Sequence, residues 1–117
     1  MSHLATGRTG EDAAVQHYLN SGYEVLARNW RTRLGELDLI VCMGTLLVFC
    51  EVKSRKGFGY GTPAEALTAA KRHRIRRLAE NWMAIDRRRW DEVRFDVVEV
   101  LISGGDRTEV RRIEAAF

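Results

Sequence analysis

Gly35-Glu36-Leu37-Asp38-Leu39-Ile40-Val41-Cys42-Met43-Gly44-Thr45-Leu46-Leu47-Val48-Phe49-Cys50-Glu51-Val52-Lys53 is the stretch whose reading decides the fold. Two apolar runs flank Met43-Gly44, and each carries ionisable residues at alternate positions near its outer end, which is the pattern of a β-hairpin. Side chains along a strand alternate between faces. Glu36, Asp38, Ile40 and Cys42 therefore share one face of the first strand, and Phe49, Glu51 and Lys53 share one face of the second. A loop centred on Met43-Gly44 sets Asp38 across from Phe49 and Glu36 across from Glu51. Asp38, Glu51 and Lys53 then converge on a single face.

Such a convergence is unfavourable unless something uses it, because two carboxylates about 4 Å apart repel by roughly 4 kcal/mol at an effective dielectric of 20. Lys53 offsets one negative charge, and a divalent cation would offset the remainder. Hard cations such as Mg²⁺ are commonly held by one or two carboxylates together with waters and phosphate oxygens. An acid, a turn and then acid-x-Lys suits phosphodiester hydrolysis: the metal polarises the phosphate and activates a water, while the ammonium stabilises developing charge. A lone acid-x-Lys is ordinarily a solvated pair. Here Glu51-Val52-Lys53 ends an apolar strand and Asp38 interrupts another, which favours a site. Asp38 and Glu51 are thus the expected ligands of Mg²⁺ or Mn²⁺, with Lys53 as their catalytic partner.

At 117 residues the chain is expected to form one domain over 1–117, with a core that needs neither disulfides nor a structural metal. No apolar run approaches the roughly 18 residues of a membrane span, and the N-terminus lacks a signal-peptide pattern, so the expectation is a cytoplasmic protein without a membrane partner. Cys42 and Cys50 fall on opposite faces of the hairpin and match no zinc spacing, as expected of buried free thiols. A net charge of +3 is only mildly basic, so the placement of the charge matters more than its total.

Upstream of the hairpin, residues 1–8 read as a disordered lead, and Thr9 as the N-cap of a helix through Asn20 that Gly22 terminates. Ala14, Val15, Tyr18 and Leu19 form its apolar stripe, with Glu11 in the middle of that stripe and His17 off it in solvent. Glu11 serves either the helix dipole or the carboxylate cluster. Glu24 to Trp30 reads as a strand leading into the hairpin.

Downstream, Ser54-Arg55-Lys56-Gly57-Phe58-Gly59-Tyr60-Gly61 has the composition of a flap against a polyanion, Arg55 and Lys56 meeting phosphates and the aromatics stacking on bases. An ordinary flexible loop has the same composition. Thr62-Pro63-Ala64-Glu65 is a capping box that starts a helix running to about Ile85. Ala64, Leu67, Ile75, Leu78 and Trp82 form its apolar stripe and Lys71 projects into the centre of it. Arg72, His73, Arg76 and Arg77 cover the other side. Eight of the chain's 19 Lys and Arg residues lie between Lys71 and Arg89, which makes Lys71, Arg72, Arg76 and Arg77 candidate nucleic-acid contacts. Glu92 to Leu101 alternates as a strand, Ser103-Gly104-Gly105-Asp106 turns, and Glu109 to Ile113 is a last, edge strand. The element order is αβββαββ.

The runs GELDLI and FCEVKSR, the later helix with K-x-x-x-I and the strand RFDVVEV together resemble the YraN-type family of small uncharacterised bacterial proteins, over roughly Gly10 to Leu101. That resemblance implies a restriction-endonuclease-like α/β fold of the PD-(D/E)xK superfamily, with an αβββαβ core, a mixed central sheet flanked by helices, and similarity to archaeal Holliday junction resolvases. It implies that Asp38 and Glu51 are the metal-binding acids, Lys53 the motif lysine, and Glu11 the acid carried on the first helix of resolvases. Leu37 stands where the motif usually has proline. The expected function is a metal-dependent endonuclease acting on DNA, with branched or repair intermediates as substrates. A nucleic-acid-binding module with the same fold and no chemistry is the alternative, and a protein-interaction role for the basic face is a third. Trp30, Trp90 and Phe117 fall outside the apolar stripes and are the expected contact of a symmetric homodimer, which would supply the second site that cutting both strands requires.

Overall fold

The hairpin turns at Gly44-Thr45, where Gly44 takes a φ of 58°, a left-handed conformation that favours glycine. In this computed structural model, which describes residues 3–56, 67–104 and 107–117, the flanking strands are β2 (Gly35–Met43) and β3 (Leu46–Lys56). They pair with Met43 opposite Leu46 and Ile40 opposite Phe49. The turn thus lies one residue later than expected, and each residue of β2 meets a partner two positions further along β3. A shift of two keeps every side chain on its face. Asp38 consequently stays on the face of Glu51 and moves towards it, rather than towards Phe49.

Around the hairpin the order is α1 (His3–Asn20), β1 (Glu24–Thr32), β2, β3, α2 (Ala69–Asp86), β4 (Glu92–Ile102) and β5 (Thr108–Ile113). One sheet holds all the strands in sequence order β1-β2-β3-β4-β5. The β3–β4 pair is parallel and the others are antiparallel, so the α/β fold has a mixed sheet. A parallel pair needs a crossover, and α2 lies in it. β1 and β5 are the edges. The αβββαββ order read from the sequence is the one observed.

Alternation along the central strands divides the core in two. Leu39, Val41, Val48, Cys50, Val98 and Val100 pack under Ala14 and Tyr18 of α1. Ile40, Leu47 and Phe49 pack under Ile75, Leu78, Ala79 and Trp82 of α2. Phe49 is edge-on to Trp82 at 5.9 Å and stacked on Phe95 at 5.6 Å, contacts that add about 0.5–1.5 kcal/mol each to simple area burial. Cys42 and Cys50 are both buried free thiols.

Several boundaries differ from the sequence reading. Helix α1 begins at His3, so Thr9 lies inside it rather than capping it, and from His3 onward helix replaces the expected disordered lead. Ser54, Arg55 and Lys56 continue β3 instead of opening a loop, because β4 pairs with β3 as far as Lys56 opposite Ile102. Leu67 and Thr68 are not helical, and Thr68 is the N-cap of α2, its hydroxyl accepting from the Lys71 N–H at 3.1 Å. The continuous helix expected from Thr62 is therefore broken at Thr68; the Thr62–Glu65 capping box, the Gly57–Gly61 segment, Gly105 and Asp106 lie outside the described residues. His17 is half-buried against the edge of the Tyr18 ring, not solvated. Trp30, Trp90 and Phe117 are half-buried against the α2-side core, closing the ends of the sheet within one protomer. They are not the free dimer contact expected of them.

Candidate active site

The β2–β3 ladder ends at Leu39 opposite Cys50. Beyond that pair, the Val52 N–H donates to the Asp38 carboxylate at 2.9 Å, so a side chain takes the place of a strand carbonyl. The strand deforms there: Leu37 joins the α2-side core, although Leu39, two residues on, belongs to the other. An acid that breaks the ladder inside an apolar strand is held by a specific bond, not by chance exposure.

Four elements supply the surrounding charge. Carboxylate oxygens of Glu11 on α1 and of Glu36 and Asp38 on β2 all lie within 4.8 Å of one another, and all three residues are half-buried. Glu51 on β3 is buried at 8% exposure, with its carboxyl close enough to Asp38 for a shared hydrogen bond. Lys53, two residues along the same face of β3, meets Lys71 from the first turn of α2. The core-facing lysine read from the helical pattern thus finds its acid, because its charge acts on Glu51.

Electrostatics follow from that crowding. Burial, then the Asp38 charge, pushes the Glu51 carboxyl up to about 7, against the pull of Lys53 and Lys71. Burial also raises Asp38; its bond from Val52 opposes the rise, Glu11 and Glu36 add to it, and Lys53 opposes it. Lys53 is lowered, first by burial and then by Lys71, with Glu51 and Asp38 working the other way. The acids repel one another, and a cation among them would remove that cost. An all-oxygen donor set of this kind fits a hard divalent cation rather than a soft one.

Two residues that position the site went unread in the sequence. At Gly10 the helix packs so closely on β3 that a Cβ would lie 1.6 Å from the Ser54 Oγ, and this approach delivers the next residue, Glu11, to the acids. Asn29 sits in β1 with a φ of 51°, and its amide donates to Glu11 at 3.2 Å; asparagine tolerates this left-handed conformation better than most residues. Glu36, two positions from Asp38 on one strand, was visible as a neighbour but not as a member of the cluster. It also accepts from Arg31 at 3.1 Å.

The candidate phosphate contacts are divided by the structure. Arg55 is half-buried within 3.9 Å of Glu99, facing an acid rather than solvent. Arg76 lies over the rings of Phe95 and Phe117 at 5.5 and 5.9 Å. Arg72 is half-buried, whereas His73, Arg74 and Arg77 are exposed. Lys56 is placed by its backbone at the end of β3.

A mixed five-stranded sheet carrying helices on both faces, with a cluster of carboxylates and lysines at the broken end of its central hairpin, defines an α/β protein with a candidate cation site. The chain belongs to the group described as Uncharacterised protein family UPF0102, which it matches over residues 10–100. It is 49% identical to a UPF0102 protein of Rhodococcus opacus, with all of both chains covered. Similar proteins occur in Nocardia farcinica, at 49% identity over 97% of this chain and 89% of the relative, and in Symbiobacterium thermophilum, at 49% over 95% and 94%. Among the described residues, no helix is long and apolar enough to cross a membrane.

Proposed function

We propose that this protein is a cytoplasmic, metal-dependent endonuclease that hydrolyses phosphodiester bonds in DNA. The observation that carries the reading is the pair Asp38 and Glu51, held together in a half-buried setting with Lys53 and Lys71 beside them. Asp38 and Glu51 would hold Mg²⁺ or Mn²⁺, with Glu11 and Glu36 completing the acidic wall. When bound, such a cation supplies neutralisation of the phosphate oxygens and a lowered pKa for water. Lys53 stabilises the charge that develops at the scissile phosphate, and the field of Lys71 favours the anionic form of Glu51. The Val52 N–H fixes the Asp38 carboxylate so that its orientation is set before substrate arrives.

Incubating purified protein with Mg²⁺ or Mn²⁺ and linear, flapped or four-way DNA tests the reading. Cleavage is expected, and Asp38→Asn and Glu51→Gln should each lower it by at least about a hundredfold with the fold intact. Wild-type rates in either variant would place the chemistry elsewhere. The binding-module alternative is favoured by the exposed cations of α2, which need no chemistry to hold DNA; a metal titration that finds no site would support it. Cutting both strands at once requires two copies. Trp30, Trp90 and Phe117 are half-buried within the protomer and leave less apolar surface for a symmetric homodimer, and light scattering with and without DNA decides whether one forms.

A further inference from the structure

Between the β1–β2 turn and the outer side of α2 lies a cleft of about 250 Å³ lined by Leu34, Ala70, His73, Arg74 and Arg77. Its helical wall is a single stripe, since positions 70, 73, 74 and 77 follow the i, i+3, i+4, i+7 spacing of one helix face. The opposite wall is the turn itself, where Leu34 is 40% exposed and a Cβ at Gly35 would come within 3.3 Å of the Arg74 side chain. His73, Arg74 and Arg77 form no ion pair among the described residues. Several other described cations are engaged: Arg28 with Asp12, Arg88 with Asp86, Arg94 with Asp96.

The cleft is built on the same two elements, β2 and α2, that carry Asp38 and Lys71 of the candidate active site. Ala70 precedes Lys71, whose charge acts on Glu51. Gly35 begins the strand that carries Asp38, three residues or roughly 10 Å away at about 3.3 Å per residue. A duplex does not enter a space of this size, which is smaller than the roughly 300–1,000 Å³ of ordinary ligand pockets. A single nucleotide does, with its phosphate on the arginines and its sugar or base against Leu34 and Ala70.

We propose that this cleft is a subsite for one unpaired nucleotide of the strand being cut, near the scissile phosphate, and that it makes the protein prefer DNA with single-stranded segments over continuous duplex. The cations supply the attraction and the apolar walls supply the selection for a strand whose backbone can leave the helix. This rests on the nucleic-acid reading of the neighbouring site.

Fluorescence anisotropy with labelled oligo-dT and a labelled blunt-ended duplex of two strands, without divalent metal, tests the proposal on the full chain. The double variant Arg74→Ala/Arg77→Ala should weaken oligo-dT binding about tenfold and duplex binding several-fold less. Ala70→Leu narrows the cleft without changing charge and should lower only oligo-dT affinity. All three positions are exposed, and a circular dichroism melt confirms that the variants fold. Equal losses on both probes in the double variant, or no loss of oligo-dT binding in Ala70→Leu, would overturn the subsite. A wild-type protein that cuts DNA yet binds both probes alike would remove this inference and leave the nuclease reading standing; one that neither binds nor cuts DNA would remove both.

Discussion

The sheet carries two acidic centres, both reached by α1, and they are built by opposite rules. On the α1 face, Asp96 is fully buried and accepts from Tyr18 Oη at 2.8 Å, from Arg94 at 2.8 and 2.9 Å, and from the Ala115 N–H at 3.2 Å. Arg94 continues to Tyr23 at 2.9 Å and to Glu114 at 3.5 Å, so each charge has a fixed partner. Where β2 and β3 part, Asp38 accepts one backbone hydrogen bond among the described residues and shares its surroundings with Glu11, Glu36 and Glu51. Saturated hydrogen bonding marks an acid that holds the fold together, and here it ties α1 and the C-terminal segment to β4. A surplus of like charge marks an acid awaiting a ligand, since the fold alone gains nothing from it.

The largest effect expected from breaking this comparison is at Asp96. Asp96→Ala leaves the half-buried Arg94 without its main counter-charge and removes the fully buried acceptor of Tyr18, and should cost about 3–5 kcal/mol in urea unfolding. A loss no larger than that of Asp38→Ala would erase the distinction between the two centres.

An opposite sign is expected at Glu51. Its folded value of about 7 lies above the ordinary 4.5, so the folded protein binds more protons in between. The stabilising contribution of the protonated carboxyl is complete below about 4.5 and is lost as pH rises through about 7. In chelator, Glu51→Gln should therefore match the wild type near pH 4.5 and exceed it by up to about 3 kcal/mol above pH 7. A variant less stable than the wild type at pH 8 would mean that Glu51 is a structural acid like Asp96.

The smallest effect sharpens the contrast at the helix that serves both centres. Gly10→Ala forces α1 away from Ser54 and should cost about 1–3 kcal/mol, while reducing Mn²⁺ affinity through displacement of Glu11. Tyr18, lower on the same helix, should keep its bond to Asp96, visible as unchanged tyrosine near-ultraviolet dichroism. Loss of stability without loss of metal affinity would separate Glu11 from the site.

Asp38, Glu51 and Lys53 were legible in the sequence because period-two alternation fixes which residues share a face, and an ionisable residue inside an apolar strand breaks that pattern visibly. The same logic gave the strands, their order and the core-facing Lys71 of α2. Asp96 was legible as an acid on a strand, but nothing local distinguished it from Asp38. Its partners Tyr18, Tyr23 and Ala115 come from distant segments, and only packing brings them together.

What the sequence by itself determined, then, is the set of side chains on each face of the hairpin, since strand geometry converts position directly into direction. Tertiary structure decided the two-residue shift that moves Asp38 towards Glu51, through a turn at Gly44-Thr45 whose location depends on how β2 and β3 pair. It also decided the approach of α1 at Gly10 that adds Glu11, the pairing of Arg55 with Glu99, and the partial burial of Trp30, Trp90 and Phe117. Each of these depends on the distance between segments far apart in the chain, a quantity that no local periodicity carries.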